Sequence, residues 1–490
     1  MKKLIVIAFG MFAVSAMADI TLDGPTFITS NTTVSEKVTG SGYYVVQNGA
    51  TLTLSNAEND FTGGVICSNG VVEATASGAF GTGTIRLEGS DRIHVARLNV
   101  DKGVFPNDFV LKDATTDNSY PALDVLKSAT LNGKVSIDSD YAALTTGAYF
   151  YFKLGASASD SGVTLTLNDE ANAGAARFKI MGWGKVLFKE KVTAASVFFG
   201  HNSADTGMAD FYADNAINGI RLGSFDIGCH LANQFKGTSV QFDWGDSWYA
   251  NGHCRIILNG FDQEFRYLHS AAEPQHLSGN EYACGIWTDE RKPCTVTVNG
   301  RDAKSVSGTA YIRFAGPISI VVEKVAPFED GWTLYQGFKK RESSVTNITV
   351  KSGQFRFMTG VSFPQLQNID VLGGSVTYES VSSCVPNVKR ISVASGAAVT
   401  SDAKSVAPIT APKVALYLET GSHFYVGAGV MNTVKKLYLD GVQKEAGTYT
   451  GETEEKGIVL QPMRRYSGAE TYYTGTLDVL KGPGMVLLFR

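Results

Sequence analysis

Short alternating strands, glycine turns that recur every 21–25 residues and a near absence of helical periodicity predict an all-β chain of stacked units, a parallel β-solenoid. The clearest units are ITVKSGQFRF, IDVLGGSVTY, ISVASGAAVT and LYLETGSHFY. Their turn glycines, Gly353, Gly374, Gly396 and Gly421, are spaced by 21, 22 and 25 residues. Five residues before each glycine stands Ile348, Ile369, Ile391 or Leu416, and three before stands Val350, Val371, Val393 or Leu418. Alternation of this kind turns one face of each tract inward. Glycine tolerates the positive φ of the turn because it has no Cβ. A lone pair of short strands is not stable in water. Stacking each strand on its equivalent one unit later supplies the missing partner.

The same spacing appears near the N-terminus, where YVVQNGATLTL and VICSNGVVEAT set Gly49 and Gly70 21 residues apart and TIRLEG adds Gly89. A variant ends its strand in a polar-glycine pair, at Gly133, Gly260, Gly300 and Gly441. Asn-Gly also marks antiparallel hairpins, so a sandwich of hairpins is the rival arrangement. The regular interval favours stacking. Residues 140–254 keep strand-like alternation (YFYFKL, ARFKIMGWGKVLFKEKV) but lose the glycine period. They read as units with longer loops or as a β-sandwich-like insertion. The resulting divisions are 19–139, 140–254, 255–450 and a C-terminal β segment at 451–490. The best short helix candidate is PALDVLKSA, Pro121 to Ala129.

The first 18 residues, MKKLIVIAFGMFAVSAMA, hold two lysines, an apolar run and a small-residue site ending at Ala18. These are the ordered parts of a secretory signal, with cleavage expected after Ala18. No later stretch is long and apolar enough for a membrane helix. Without the signal the chain has 41 basic and 47 acidic residues, a net −6. That balance gives no electrostatic case for nucleic acid. Cys67, Cys229, Cys254, Cys284, Cys294 and Cys384 are compatible with disulfides in an exported protein. Cys284 and Cys294 flank a polar loop and form the preferred bridge, and Cys229–Cys254 is the second. The competing view is that several are buried small apolar residues.

The stretch NDFTGGVICSNGVVEATASGAFGTGTIRLEG, residues 59–89, carries Asn59, Phe61, Gly63, Gly64, Gly70, Gly81 and Gly83 in a fixed order. It resembles the autotransporter-associated β-strand repeat, also called the passenger-associated transport repeat. CRIILNGFDQEFRYL (254–268) and LYLDGVQKEAGTYTG (437–451) resemble further elements of such exported proteins. The resemblance covers about a seventh of the chain. It implies a right-handed parallel β-helix displayed outside a bacterial cell, with no catalytic residues to carry over. It departs from the family at the C-terminus, where TLDVLKGPGMVLLFR leaves no room for a membrane barrel. The expectation from this resemblance is a passenger-like chain without a translocator.

Chemistry-bearing residues are few. FDWGDSWYANGH brings Asp243 and Asp246 beside Trp244, Trp248 and Tyr249. Aromatic platforms suit sugar rings, and acid pairs suit glycoside chemistry. Cys229-His230 and His253-Cys254 offer one ligand per strand face, too few for zinc, so no metal is expected. No nucleophile elbow or phosphate loop occurs, and no cofactor is expected. The expectation is an exported, secreted or surface-bound, non-catalytic protein with a structural, display or adhesive role, contacting glycan or the cell envelope. The alternative is a β-helical polysaccharide lyase or hydrolase.

Overall fold

A computed structural model describes residues 18–88, 93–112, 120–140, 149–200, 207–223, 225–242, 254–270, 284–300, 313–323, 333–336, 344–357, 363–378, 387–401, 409–410, 412–424, 431–450 and 476–481. All but the last residue of the expected signal segment lies outside them. Among the described residues the chain is all-β, apart from a turn of 3-10 helix at Ala158–Asp160 and two helical residues, Ser139 and Asp140. Among the described residues every strand pairing is parallel except two at the C-terminal end. There Lys436–Leu439 turns back on Val442–Gln443, and Gly447–Thr450 lies against Thr476–Val479.

Each strand pairs with the one a repeat later. Tyr44 lies opposite Val65, Val65 opposite Ile85, Ile85 opposite Phe109 and Phe109 opposite Val135. Toward the C-terminus, Ile348, Ile369, Ile391, Leu416 and Leu437 are successive partners. The interval read from glycines is therefore the pairing register. The largest sheet has 18 strands, two others have nine each and a fourth has five. Residues 140–254 continue the largest sheet: Tyr149–Leu154, Arg177–Gly182, Val192–Phe199, Ala216–Leu222 and Ser239–Phe242 pair in that order.

The core follows from alternation. In Ala50–Leu54, Ala50, Leu52 and Leu54 are buried, while Thr51 and Thr53 face outward. Full burial of each Val, Leu, Ile or Phe contributes about 1.5–3 kcal/mol. Aromatic rings take much of the interior between residues 150 and 265. Phe152 and Phe178 lie 5.6 Å apart, and Phe188 stacks on Phe211 at 4.9 Å.

Buried amides tie neighbouring units together. Asn59 accepts from the Val38 amide at 2.8 Å and donates to the Ala79 carbonyl at 2.7 Å, spanning three units with one side chain. Asn107, fully buried, donates to the Gly83 carbonyl at 2.6 Å. Gln263 donates to Leu231 O at 2.7 Å, and Asp262 accepts from the Thr295 amide at 2.6 Å. Backbone groups at the corners have no strand partner, and an unmade buried hydrogen bond costs roughly 1–3 kcal/mol. The buried Asn and Gln positions meet that need, and the exposed Asp262 carboxylate adds a tie at the surface.

Three sequence expectations change. Gly49, Gly353, Gly374, Gly396 and Gly421 take φ between 71° and 92°, as a turn glycine does. Gly70 does not; it opens the strand Gly70–Ala74, and Asn69 before it takes the unusual φ of 142°. Gly70 is required by space, since a Cβ there would lie 2.5 Å from Ala50 O. The best short helix candidate, Pro121–Ala129, is instead the strand Leu123–Val125 and the start of Ala129–Leu131. Leu123 and Val125 are fully buried between paired strands, and this packing overrides local propensity.

The disulfides are the third correction. Cys294 and Cys229 are buried, unbridged thiols, so neither Cys284–Cys294 nor Cys229–Cys254 forms. Cys284 begins a strand of one nine-stranded sheet and Cys294 a strand of the other, so the intervening loop turns a corner between them. Asp226 faces Arg255, which puts Cys254 level with Phe225 and four positions from Cys229. That is about 13 Å along the strand, beyond the reach of a disulfide. The Cys254 thiol donates instead to Leu222 O at 3.2 Å. Cys384 lies outside the described residues.

Burial pushes the Cys67 thiol up to about 12 and the Cys294 thiol up to about 11, and it raises Cys229 as well. Below pH 9, the ordinary value, these thiols are protonated in folded and unfolded chains alike, and their contribution to stability is intact. Above it the unfolded chain releases protons that the folded chain keeps, so stability is lost as pH rises toward 11–12. Urea midpoints should therefore fall from about pH 8 to about pH 11, and less steeply for Cys67→Ala. An unchanged slope in that variant would place the effect on other groups.

Candidate functional site

Four chain connections join the same two rows of stacked strands at one corner. The strands Val192–Phe199, Ala216–Leu222, Ser239–Phe242 and Tyr267–Ser270 pair in order in the large sheet. The strands that follow them, Met208–Phe211, Asp226–Cys229, Cys254–Ile257 and Cys284–Trp287, pair in order in a nine-stranded sheet. The connections between the two rows hold 8, 3, 11 and 13 residues, counted between strand ends. The third is 243–253. The sequence-derived candidates Asp243, Trp244, Asp246, Trp248 and Tyr249 therefore lie on this corner's connection and outside the described residues, as does His253.

The strands that receive these connections carry a polar cluster on their outward face. Asp210 is on Met208–Phe211, level with Leu187 on one side and Gly228 on the other. A Cβ on Gly228 would sit 2.1 Å from Asp210 Oδ1, so only glycine lets the carboxylate lean across that strand. Asp210 is 2% exposed. Its Oδ2 is ion-paired with Lys185, and Oδ1 lies 3.4 Å from His230 Nε2. The His230 ring stacks on Tyr212 at 4.1 Å with an 11° interplanar angle. The Lys189 ammonium sits 3.4 Å from the Tyr212 ring centroid. The His230 amide donates to Gln234 Oε1 at 2.7 Å, and buried Gln234 donates on to Phe211 O at 2.8 Å.

A second ion pair lies beside the first. Arg255 Nε donates to Asp226 Oδ1 at 3.0 Å, and its guanidinium covers Trp287 at 5.2 Å. The Asp226 hydrogen bond raises Arg255 above its already high ordinary value. Asp210 and Asp226 stand diagonally on neighbouring strands, and each is already engaged by a cation. Such pairs supply fixed charge and orientation rather than a proton donor and an acceptor poised about a sugar. Among the described residues no three His, Cys, Asp or Glu side chains converge on a metal-binding point. Among them, too, no helix is long and apolar enough to cross a membrane.

Sequence reading missed Asp210, Lys185 and Tyr212, and it weighed His230 only as a metal ligand. Their signal was the outward half of three alternating tracts, KVLF, MADFY and DIGCH. Alternation tells which residues face outward, but only the register brings Asp210 beside His230. The Cys229-His230 pair divides as strand geometry requires, with Cys229 buried inside and His230 outside. Compared with protein-family models, with curated proteins and with solved structures, the chain finds no match.

Proposed function

We propose that the protein is an exported parallel β-solenoid, right-handed like the repeat proteins it resembles, that displays binding loops at or outside the bacterial envelope. Its role is structural or adhesive, without turnover, and its partner is a glycan or a cell-envelope surface. The observation that carries this reading is that connections of 8, 11 and 13 residues join the same two rows of stacked strands. Stacked strands fix the loop ends at about 4.8 Å spacing, so the points where the loops begin and end are aligned in a row. A row of modest contacts gives avidity on a repetitive surface. The aromatic-rich 243–253 connection, with Trp244, Trp248 and Tyr249, belongs to that row.

The test uses the chain beginning at Asp19 on an array of glycans, matrix components and bacterial surfaces. At least one surface should retain it, and Trp244→Ala with Trp248→Ala should weaken that binding by roughly tenfold or more, in line with truncated aromatic anchors. Failure to bind any surface sinks the reading. Release of unsaturated or reducing ends from a bound polysaccharide, abolished by Asp243→Asn or Asp246→Asn, would replace it with the enzymatic alternative.

A further inference from the structure

The outer face of the large sheet carries a second feature, separate from the loop corner. Its outward positions on Tyr149–Leu154, Arg177–Gly182, Val192–Phe199, Ala216–Leu222 and Ser239–Phe242 include Lys153, Arg177, Lys179 and Arg221. The outward positions of those five strands include no Asp or Glu. This stands out in a chain whose net charge is −4.

Rings hold the cations in place. Arg177 lies 5.7 Å from the ring centroids of both Tyr149 and Phe198, and it donates to the Tyr149 hydroxyl at 3.2 Å. Arg221 covers the same Phe198 ring at 5.5 Å. Lys179 lies 5.0 Å from the Tyr151 ring centroid and is only 6% exposed, a positive charge set just beneath the surface. Beside this row the register aligns Ser196, Gly219 and Ser239 on three successive strands. A Cβ at Gly219 would meet nothing closer than 3.7 Å, so the floor there is open. The result is a shallow trough, a floor of small residues bordered along one side by the Phe198–Arg221 pair.

We infer that this trough binds an acidic polysaccharide, one bearing carboxylate or sulfate groups, along the stacking direction of the strands. The inference rests on reading the chain as a glycan-binding scaffold and names the class of glycan and a second place where it binds. Arg177 and Arg221 are two strands apart and two residues out of register, about 12 Å between backbone positions on a line oblique to the stacking direction. An extended polysaccharide presents acidic groups on one side at a similar two-residue interval. Guanidinium groups already fixed on rings lose little freedom on pairing with a carboxylate or sulfate. A lipid bilayer fits less well, because Phe198 and Tyr149 are half-buried under guanidinium groups rather than projecting. A nucleic acid would meet a net negative protein around a small cationic face.

The probe is polygalacturonate, with uncharged galactan, phosphatidylserine vesicles and single-stranded DNA as comparisons, all on the chain beginning at Asp19. Binding to polygalacturonate should weaken about tenfold in Arg221→Gln and further in Arg177→Gln/Arg221→Gln. Arg221→Lys should restore most of it, and ionic strength of about 0.5 M should remove it. Arg221 is exposed, so Arg221→Gln should melt with the parent chain, which separates lost binding from lost folding. Equal binding to galactan, indifference to these substitutions, or capture of only vesicles or DNA overturns the inference. In each case binding through the 243–253 loop can persist, and the proposed function then stands without this site. Loss of every surface on the array removes both.

Discussion

Replacing Phe211 with alanine should cost about 3–5 kcal/mol of folding free energy, the largest loss expected from a single core substitution here. The ring is fully buried. It stacks on Phe188 at 4.9 Å and meets Phe235 edge-on at 5.2 Å and Phe199 at 6.1 Å. Those three partners come from earlier and later units, so the cavity would open at a junction of several units. Paired strands hold those rings at fixed spacing, and the cavity cannot close by a small local shift. Urea denaturation of Phe211→Ala measures the loss. Phe27→Ala is the control, because Phe27 is 59% exposed and should change stability by less than about 0.5 kcal/mol. A loss below about 1 kcal/mol at Phe211 would show that the aromatic column contributes less than its burial implies.

Gly374→Ala and Gly396→Ala should differ sharply although both glycines hold the same place in the repeat. Their φ angles are nearly equal, 72° and 76°. An L-residue in that region costs about 1–2 kcal/mol, so both substitutions destabilise. At Gly396 a Cβ meets nothing within 4 Å, and the cost should stop there. At Gly374 a Cβ would lie 2.1 Å from the Gly353 carbonyl oxygen, which belongs to the backbone of the preceding unit. The two turns must separate to admit it, and the expected loss is about 3 kcal/mol or more. Equal melting temperatures for the two variants would mean that the turns slide past one another freely, against the close stacking seen here.

Part of this architecture was legible in the residues. Ile348, Ile369, Ile391 and Leu416 share a place in their repeats, and they are direct partners in the sheet. Asn59 and Gly64 stand out in the sequence by their order alone, while the cross-unit clamp of Asn59 and the positive φ of Gly64 are seen only in the structure. The cysteines were not legible. Cys284 and Cys294 are close in sequence, yet a corner separates them, while Cys254 pairs in register with Cys284 from 30 residues earlier. Nor was the Asp210–His230 pair, whose members sit 20 residues apart on neighbouring strands.

The sequence by itself determined the all-β class, the inward and outward faces of each strand and the repeat interval. Those are local properties, set by side-chain alternation and by glycine's lack of a Cβ. Only the tertiary structure decided which outward side chains meet, that the buried thiols of Cys229 and Cys294 stay unbridged, and that basic and aromatic residues gather over the Ser196–Gly219–Ser239 trough. The physical reason is register. Loops of unequal length let units of similar pattern stack at several offsets, and a shift along the strand changes every cross-strand neighbour while leaving the pattern of each strand intact.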